Sequence, residues 1–179
     1  NWKFLIENFI EPYHVQFVHK TTTNQPLKDH YTFVDGKCYG SGVDVEQEDE
    51  KNYHALSVTS RYLSLFPNFI MGTYYPNQVG VYLNIPISPG ITSQKRIIYT
   101  IDNKVMTKKE IRAIKDIWWS VHKEDHEMCE RLQEGRSSPA SNNGGLLSPV
   151  WEKGVQAFQK LIIDSITKSL KSTKRVKNV

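Results

Sequence analysis

Residues 107–135 read TKKEIRAIKDIWWSVHKEDHEMCERLQEG, and the fold follows from how this stretch is read. Thr107, followed three residues later by Glu110, forms a capping box at a helix N-terminus. Gly135 supplies a stop. Between them Ile111, Ile114, Trp118, Val121, Met128 and Leu132 recur at steps of three and four, which puts them on one helical face. One position in that series is not apolar. Asp125 falls four residues after Val121 and three before Met128, so it points into the apolar stripe. A carboxylate there must be paired, hydrogen-bonded or bound to a metal, because an unpaired buried charge is too costly. Taken alone, Asp125 reads most simply as an acid at the helix edge, reaching a Lys or a Tyr hydroxyl. Its neighbour Glu124 lies about 100° around the helix and is expected to be more exposed.

The segment before this helix is rich in strand signals. Candidate strands are Tyr31–Val34, Cys38–Val45, Tyr53–Thr59, Asn68–Tyr75, Val79–Ile87 and Lys95–Ile101. Asp35-Gly36, Pro76-Asn77 and Ser88-Pro89-Gly90 separate several of them as turns. Strands in succession without intervening helices predict an antiparallel sheet, and with the flanking helices an α+β architecture. After the long helix, a Ser-, Asn- and Gly-rich loop (137–148) leads to a last helix. Ser148-Pro149 is its expected N-cap and first position, and Trp151, Val155, Phe158, Ile162 and Ile166 its core face. At the other end, Asn1 to about Val18 reads as a helix with Leu5, Phe9 and Tyr13 on one side and a bend at Pro12.

Composition excludes several classes. The chain has 179 residues, 39% hydrophobic and 23% charged, enough for one domain with a real core. No run of eighteen apolar residues occurs, so a helical membrane span is not expected. The formal net charge of +4 belongs to the C-terminus: Lys168, Lys171, Lys174, Arg175 and Lys177 lie there, and without them 18 cations face 19 acids. This basic tail (168–179) is read as solvated chain beyond a 1–167 domain. No nucleic-acid motif accompanies it. Cys38 and Cys129 are far apart and belong to no CxxC or CxH pair, which rules out a disulfide framework and a zinc finger. Two reduced thiols in a cytoplasmic protein are expected.

The N-terminal helix carries the second polar constellation, Glu11-x-Tyr13-His14-x4-His19. Two imidazoles and a carboxylate are the ligand set of a non-haem iron(II) site with open positions. Five residues separate side chains by about 140° on an ideal helix, so His14 and His19 converge only if the helix ends or bends between them. From spacing alone, two ordinary histidines near a helix end remain the simpler reading. Together with Asp125 the case improves, since one site can be built on two packed helices. His122 and His126 flank Asp125 and are read as surface or outer-sphere residues. His30 and His54 sit in strands without a sequence partner.

Asn1-Trp2-Lys3, Glu7-Asn8-Phe9, Glu11-x-Tyr13-His14-x4-His19, then Glu124-Asp125 with Glu130, Gln133 and Gly135 behind it, resemble the catalytic domain of the α subunit of Rieske non-haem iron oxygenases. Phe66-Pro67-Asn68 and Ser148-Pro149-x-Trp151-Glu152 fit the same pattern, so the resemblance spans nearly the whole chain in order. It implies a helix-grip (START/Bet v1-like) fold, a curved antiparallel sheet with a long helix over it. It implies mononuclear Fe(II) held by His14, His19 and Asp125. Glu11 would be the acid that bridges an iron-ligand histidine to a cluster ligand of a neighbouring subunit, with Asn8 and Tyr13 close to the iron. Met71, Tyr74, Tyr75 and Tyr82, on strands, and Trp119, off the core stripe of its helix, are candidates for a substrate pocket, with core packing the simpler role for most of the strand residues. The activity implied is O2-dependent hydroxylation or oxidative demethylation of an aromatic or other small organic substrate. Electrons would come from a Rieske [2Fe–2S] cluster fed by a reductase or ferredoxin, and the usual assembly is a homotrimer or α3β3. No Cys/His pair for that cluster occurs, so the cluster domain is expected upstream of Asn1. A divalent-metal hydrolase on the same His/His/Asp set, with Glu11 as base, and a non-catalytic helix-grip ligand-binding domain are the rival readings.

Overall fold

The computed structural model describes residues 1–23, 25–45, 59–75, 77–101 and 105–176. Helix α1 (Trp2–Ile10) and a single turn, α2 (Val15–Val18), precede six strands: β1 (His30–Asp35), β2 (Cys38–Val43), β3 (Ser60–Leu65), β4 (Phe69–Tyr74), β5 (Gln78–Ser88) and β6 (Ile91–Thr100). Then come α3 (Lys108–Ser137) and α4 (Lys153–Val176). The strands form one antiparallel meander in the order β1-β2-β3-β4-β5-β6, each paired with its neighbour in sequence.

Register decides which side chains meet the helices. Residues directly opposite one another share a face, and pairs such as Tyr39↔Ser64, Ser64↔Ile70, Ile70↔Tyr82 and Tyr82↔Arg96 trace one inner row across the sheet. Ile6 and Ile10 of α1 and Val155 and Phe158 of α4 pack on that face, against Tyr39, Ile70 and Tyr82. Further along the same face, Trp118 and Val121 of α3 pack on Tyr74. Opposed glycines make room there. A Cβ on Gly72 would collide with the Tyr74 hydroxyl, and one on Gly80 would lie 2.6 Å from that of Tyr82. The bare backbone at this pair lets two phenols lie over the sheet and meet, hydroxyl to hydroxyl, at 3.2 Å.

Five strands fall where the sequence places them, within a few residues. The expected strand Tyr53–Thr59 lies, apart from Thr59, outside the described residues, as does His54. Strand β3 is not among the expected strands, and its pattern explains why. Ser60, Tyr62 and Ser64 face the helices while Leu63 and Leu65 face away, the reverse of an apolar-in alternation. The capping box at Thr107 is present. Gly135 does not end the helix, which continues to Ser137. Helix α4 extends through much of the basic tail to Val176. Ser148 caps the turn just ahead of it, accepting from the Trp151 N–H at 3.1 Å, while Glu152 reaches back to the Ser148 N–H.

Candidate metal centre

The bend at Pro12 builds the site. Helix α1 stops at Glu11, whose backbone is extended (φ −99°, ψ 138°), and Pro12 has no N–H with which to continue it. A new turn then starts at His14 and ends at His19. The 140° of an unbroken helix is thereby removed, and the two imidazole rings lie 5.2 Å apart, edge to face. On the opposite side α3 presents Asp125. Its Oδ1 sits 3.1 Å from His19 Nε2, 3.7 Å from His14 Nε2 and 2.9 Å from Asn8 Nδ2, which donates to it. One ligand atom from each of His14, His19 and Asp125 falls within 4.8 Å of the others.

Each imidazole is fixed from behind by a carboxylate. His14 Nδ1 pairs with Glu11 Oε1 at 2.6 Å, and His19 Nδ1 with Glu124 Oε2 at 2.7 Å. A proton on Nδ1 directed at a carboxylate leaves the Nε2 lone pair facing Asp125, the tautomer a metal requires. Glu11 is itself held by backbone N–H groups of Tyr13 and His14. Glu124 accepts from Thr22 Oγ1 at 2.8 Å. Burial alone pushes the His19 imidazole down, but the hydrogen bond and charge of Asp125, then those of Glu124, outweigh it and its pKa is raised. Burial likewise works against the Asp125 carboxylate, and the histidines and Asn8 overcome it, holding its pKa below the usual value.

The triad forms one wall of a cavity. Phe9, Tyr62, Tyr74, Tyr82 and Trp118 line the rest of an inner chamber of about 70 Å3. It opens past Gln94, Arg96, Trp118 and His122 into an outer groove of about 1150 Å3 between β6 and α3. Burial raises the phenol pKa values of Tyr62 and Tyr82 to about 12, and it pushes that of Tyr74 well above its ordinary value. These rings are therefore neutral walls.

Not every expected residue lies here. Tyr74 lines the inner chamber and Asn8 bonds Asp125. Tyr13 contributes its backbone N–H, while its ring is 47% exposed beside Phe17 rather than packed on the α1 face. Met71 does not line the cavity: the alternation that turns Ile70 and Tyr74 inward turns Met71 to the outer face of the sheet. Trp119 lines the outer groove, not the metal chamber. His126 is on the surface near Glu130, whereas His122 faces the cavity. Tyr82, expected among the pocket candidates, lines the chamber, whereas Tyr75 is half-exposed and does not. Sequence reasoning misses Glu124 as the support of His19, and it misses Tyr62 and Arg96.

Comparison with known proteins agrees with this geometry. Residues 1–168 match the family model described as "Ring hydroxylating alpha subunit (catalytic domain)". Chloroplastic choline monooxygenase of Spinacia oleracea is 27% identical over 165 residues, covering 88% of this chain and 36% of that protein. The Beta vulgaris enzyme is 28% identical over 166 residues, covering 88% and 35%. The chain thus spans about a third of the length of these relatives. A solved structure of the quaternary ammonium Rieske monooxygenase CntA with an inhibitor superposes with a TM-score of 0.70 at 18% identity, over 90% of this chain and 45% of that one. Its complex with L-carnitine gives 0.68 at 19%, over 90% and 44%. At these identities the likeness shows a shared α+β, helix-grip fold.

Proposed function

The chain belongs to the family of ring-hydroxylating α-subunit catalytic domains, and from that premise we propose that it is the mononuclear iron domain of a Rieske oxygenase that oxidises a small quaternary ammonium compound. One observation carries this reading. Two histidines and one aspartate converge on one side of a cavity, and both histidines are oriented by carboxylates behind them. That is the facial set of two imidazoles and one carboxylate used by non-haem iron(II) oxygenases. His14, His19 and Asp125 would hold the ion, which when bound supplies activation of O2 at its open positions.

The remaining chemistry belongs to the chain's own residues. Asn8 donates to Asp125 and fixes which oxygen faces the histidines. Glu11 and Glu124 hold the Nδ1 protons and raise the basicity of the ligands. The neutral rings of Tyr62, Tyr74, Tyr82 and Trp118 exclude water and present π faces, which attract a quaternary ammonium head. A compact methylated head suits the small inner chamber better than a fused arene. The names of the relatives, choline monooxygenase and quaternary ammonium monooxygenase, support the same substrate class, so monooxygenation is favoured over ring dihydroxylation. Electrons would arrive from a Rieske [2Fe–2S] cluster held outside residues 1–168, across a subunit contact at Glu11, in a multimer served by a reductase. The hydrolytic alternative needs a free general base, and Glu11 is committed to His14 and two backbone N–H groups.

The test is metal content and turnover of the full-length protein. About one mononuclear Fe per chain beyond the cluster is expected, together with O2 uptake that depends on reductant and on a trimethylammonium substrate. Turnover without O2, or a protein whose mononuclear iron, counted beyond the cluster, survives Asp125→Ala, would sink the reading.

A further inference from the structure

Arg96 stands on the inner face of β6, opposite Tyr82, at the neck where the metal chamber meets the outer groove. It is half-buried, and burial pushes its pKa down even though Asp125 and nearby phenols favour its charge. A guanidinium partly withdrawn from water normally has an anionic partner. Arg96 has none within ion-pair distance among the described residues. Its Nε donates to Gln94 Oε1, and Gln94 is anchored in turn by its bond to Asn84 Oδ1 at 2.6 Å. The guanidinium lies 5.4 Å over the Tyr82 ring. Gln94 and Tyr82 therefore fix the fork while leaving both terminal nitrogens without a bond among the described residues. His122 packs on the same ring system, 5.8 Å from Tyr82 and stacked on Trp118, and its Nδ1 is buried with no partner. A guanidinium fork from a strand, with no ion-pair partner among the described residues, and an unpaired buried imidazole nitrogen from a helix thus face the same neck. Beyond them Lys115 and Lys123 line the outer groove, and no acidic side chain does so among the described residues.

We propose that Arg96, assisted by His122, anchors a carboxylate or similar anionic group on the substrate, whose opposite end lies in the aromatic chamber at the metal. The inference rests on the oxygenase reading and narrows it: the substrate is anionic at one end, so a zwitterion fits and a simple cation such as choline does not. Nε held by Gln94 leaves the two Nη groups in the planar fork that matches a carboxylate. The lysines of the groove steer an anion inward and disfavour a bare cation.

Calorimetric titration of the full-length protein tests this with matched pairs: γ-butyrobetaine against its methyl ester, and, free of any ammonium group, benzoate against benzamide. The acid of at least one pair is expected to bind roughly tenfold or more tightly than its uncharged partner, the value of a charge-assisted bond. Arg96→Met abolishes that preference, Arg96→Lys keeps part of it, and His122→Leu lowers it severalfold without changing ester affinity. Acid and partner binding alike in both pairs, or an acid preference that survives Arg96→Met, overturns the proposal. If Arg96→Met does not fold, an undiminished preference in Arg96→Lys overturns it equally. Iron measured on the same preparations separates the two ideas. A protein without mononuclear iron but with an acid preference keeps the anion site and removes the oxygenase reading, whereas one loaded with mononuclear iron but without preference does the reverse.

Discussion

The two ends of the sheet's inner face are built from similar aromatic material and do opposite things. At one end Ile6, Ile10, Tyr39, Ile70 and Phe158 interlock, all at 1% exposure or less. At the other, Tyr62, Tyr74 and Trp118 stand around a cavity with Asn8, His19, Gln25, Ser41 and Ser60 buried among them. The helices make the difference. Helix α4 lays aliphatic and Phe side chains on the first end, while the break after α1 and the Asp125 turn of α3 bring polar groups to the second. A dry core contributes stability through dispersion and removal of apolar surface from water. A hollow, polar one depends on hydrogen bonds that balance desolvation, so its role must be sought in what it binds.

Substitutions at the two ends should therefore separate cleanly. The largest effect is expected from Asp125→Ala, which removes one of three ligands and the partner of Asn8 and His19. Mononuclear iron, read by metal analysis as the iron beyond the cluster, should fall to background while circular dichroism and the thermal midpoint stay close to wild type. Phe158→Ala inverts that result. The residue is completely buried and touches Trp2, Tyr39 and Phe66, so truncation should cost about 3–5 kcal/mol in chemical denaturation. Iron bound by the molecules that remain folded should be unchanged. A collapse of the fold on Asp125→Ala, or loss of metal from folded Phe158→Ala, would erase the distinction.

That distinction also governs what can be read from the sequence. The dry end is legible, because Val155, Phe158 and Ile162 keep helical spacing and Tyr39 and Ile70 lie on strands bounded by turns. The triad is legible as three residues of the right chemistry, but spacing alone argues against it. Only the chain break at Pro12, whose angle no local rule fixes, turns His14 toward His19. Glu124 reads by helical angle as the more exposed neighbour of Asp125, and it is, with 27% of its side chain exposed against 18%. Its partner comes from a turn 105 residues away, a contact that periodicity within α3 does not contain. Strand β3 escapes sequence reading for a related reason. Its inner residues are small or polar because they border the cavity, so the site erases the pattern by which strands are recognised.

Glu124 gives the next effect in size. Glu124→Gln keeps the shape but removes the charge behind His19, and Glu124→Ala removes the contact. By the usual weight of such supporting partners, Fe(II) affinity should fall about 10–100-fold, less for Gln than for Ala. A metal titration that finds both variants equal to wild type would show that the second histidine needs no support, and that the polar end is less tightly organised than its hydrogen bonds imply.

The smallest effect asks whether the polar end has a stability cost apart from metal. His30 begins β1 in the same row as Ser60 and Tyr74, is 5% exposed, pairs its Nδ1 with Pro26 O over 3.0 Å, and leaves Nε2 unpartnered. Burial holds its imidazole below the ordinary value; the Pro26 carbonyl and Asp29 oppose this, and the nearby His14 adds to it. The sign follows from linkage. With the folded pKa below the unfolded value of about 6.5, the unfolded chain takes up the proton first as pH falls. The His30 contribution is then constant above about pH 6.5 and is lost progressively as pH falls through the folded value. Carboxylates and the other histidines titrate over part of the same range, so the informative quantity is the difference between wild type and His30→Asn, which keeps a polar atom near Pro26 but does not titrate. In urea unfolding, wild type should lose more stability than His30→Asn between about pH 7.5 and about pH 5.5. Equal slopes would mean that His30 takes up its proton as readily in the folded state as in the unfolded one, and that this corner of the polar end is wetter than the core beside it.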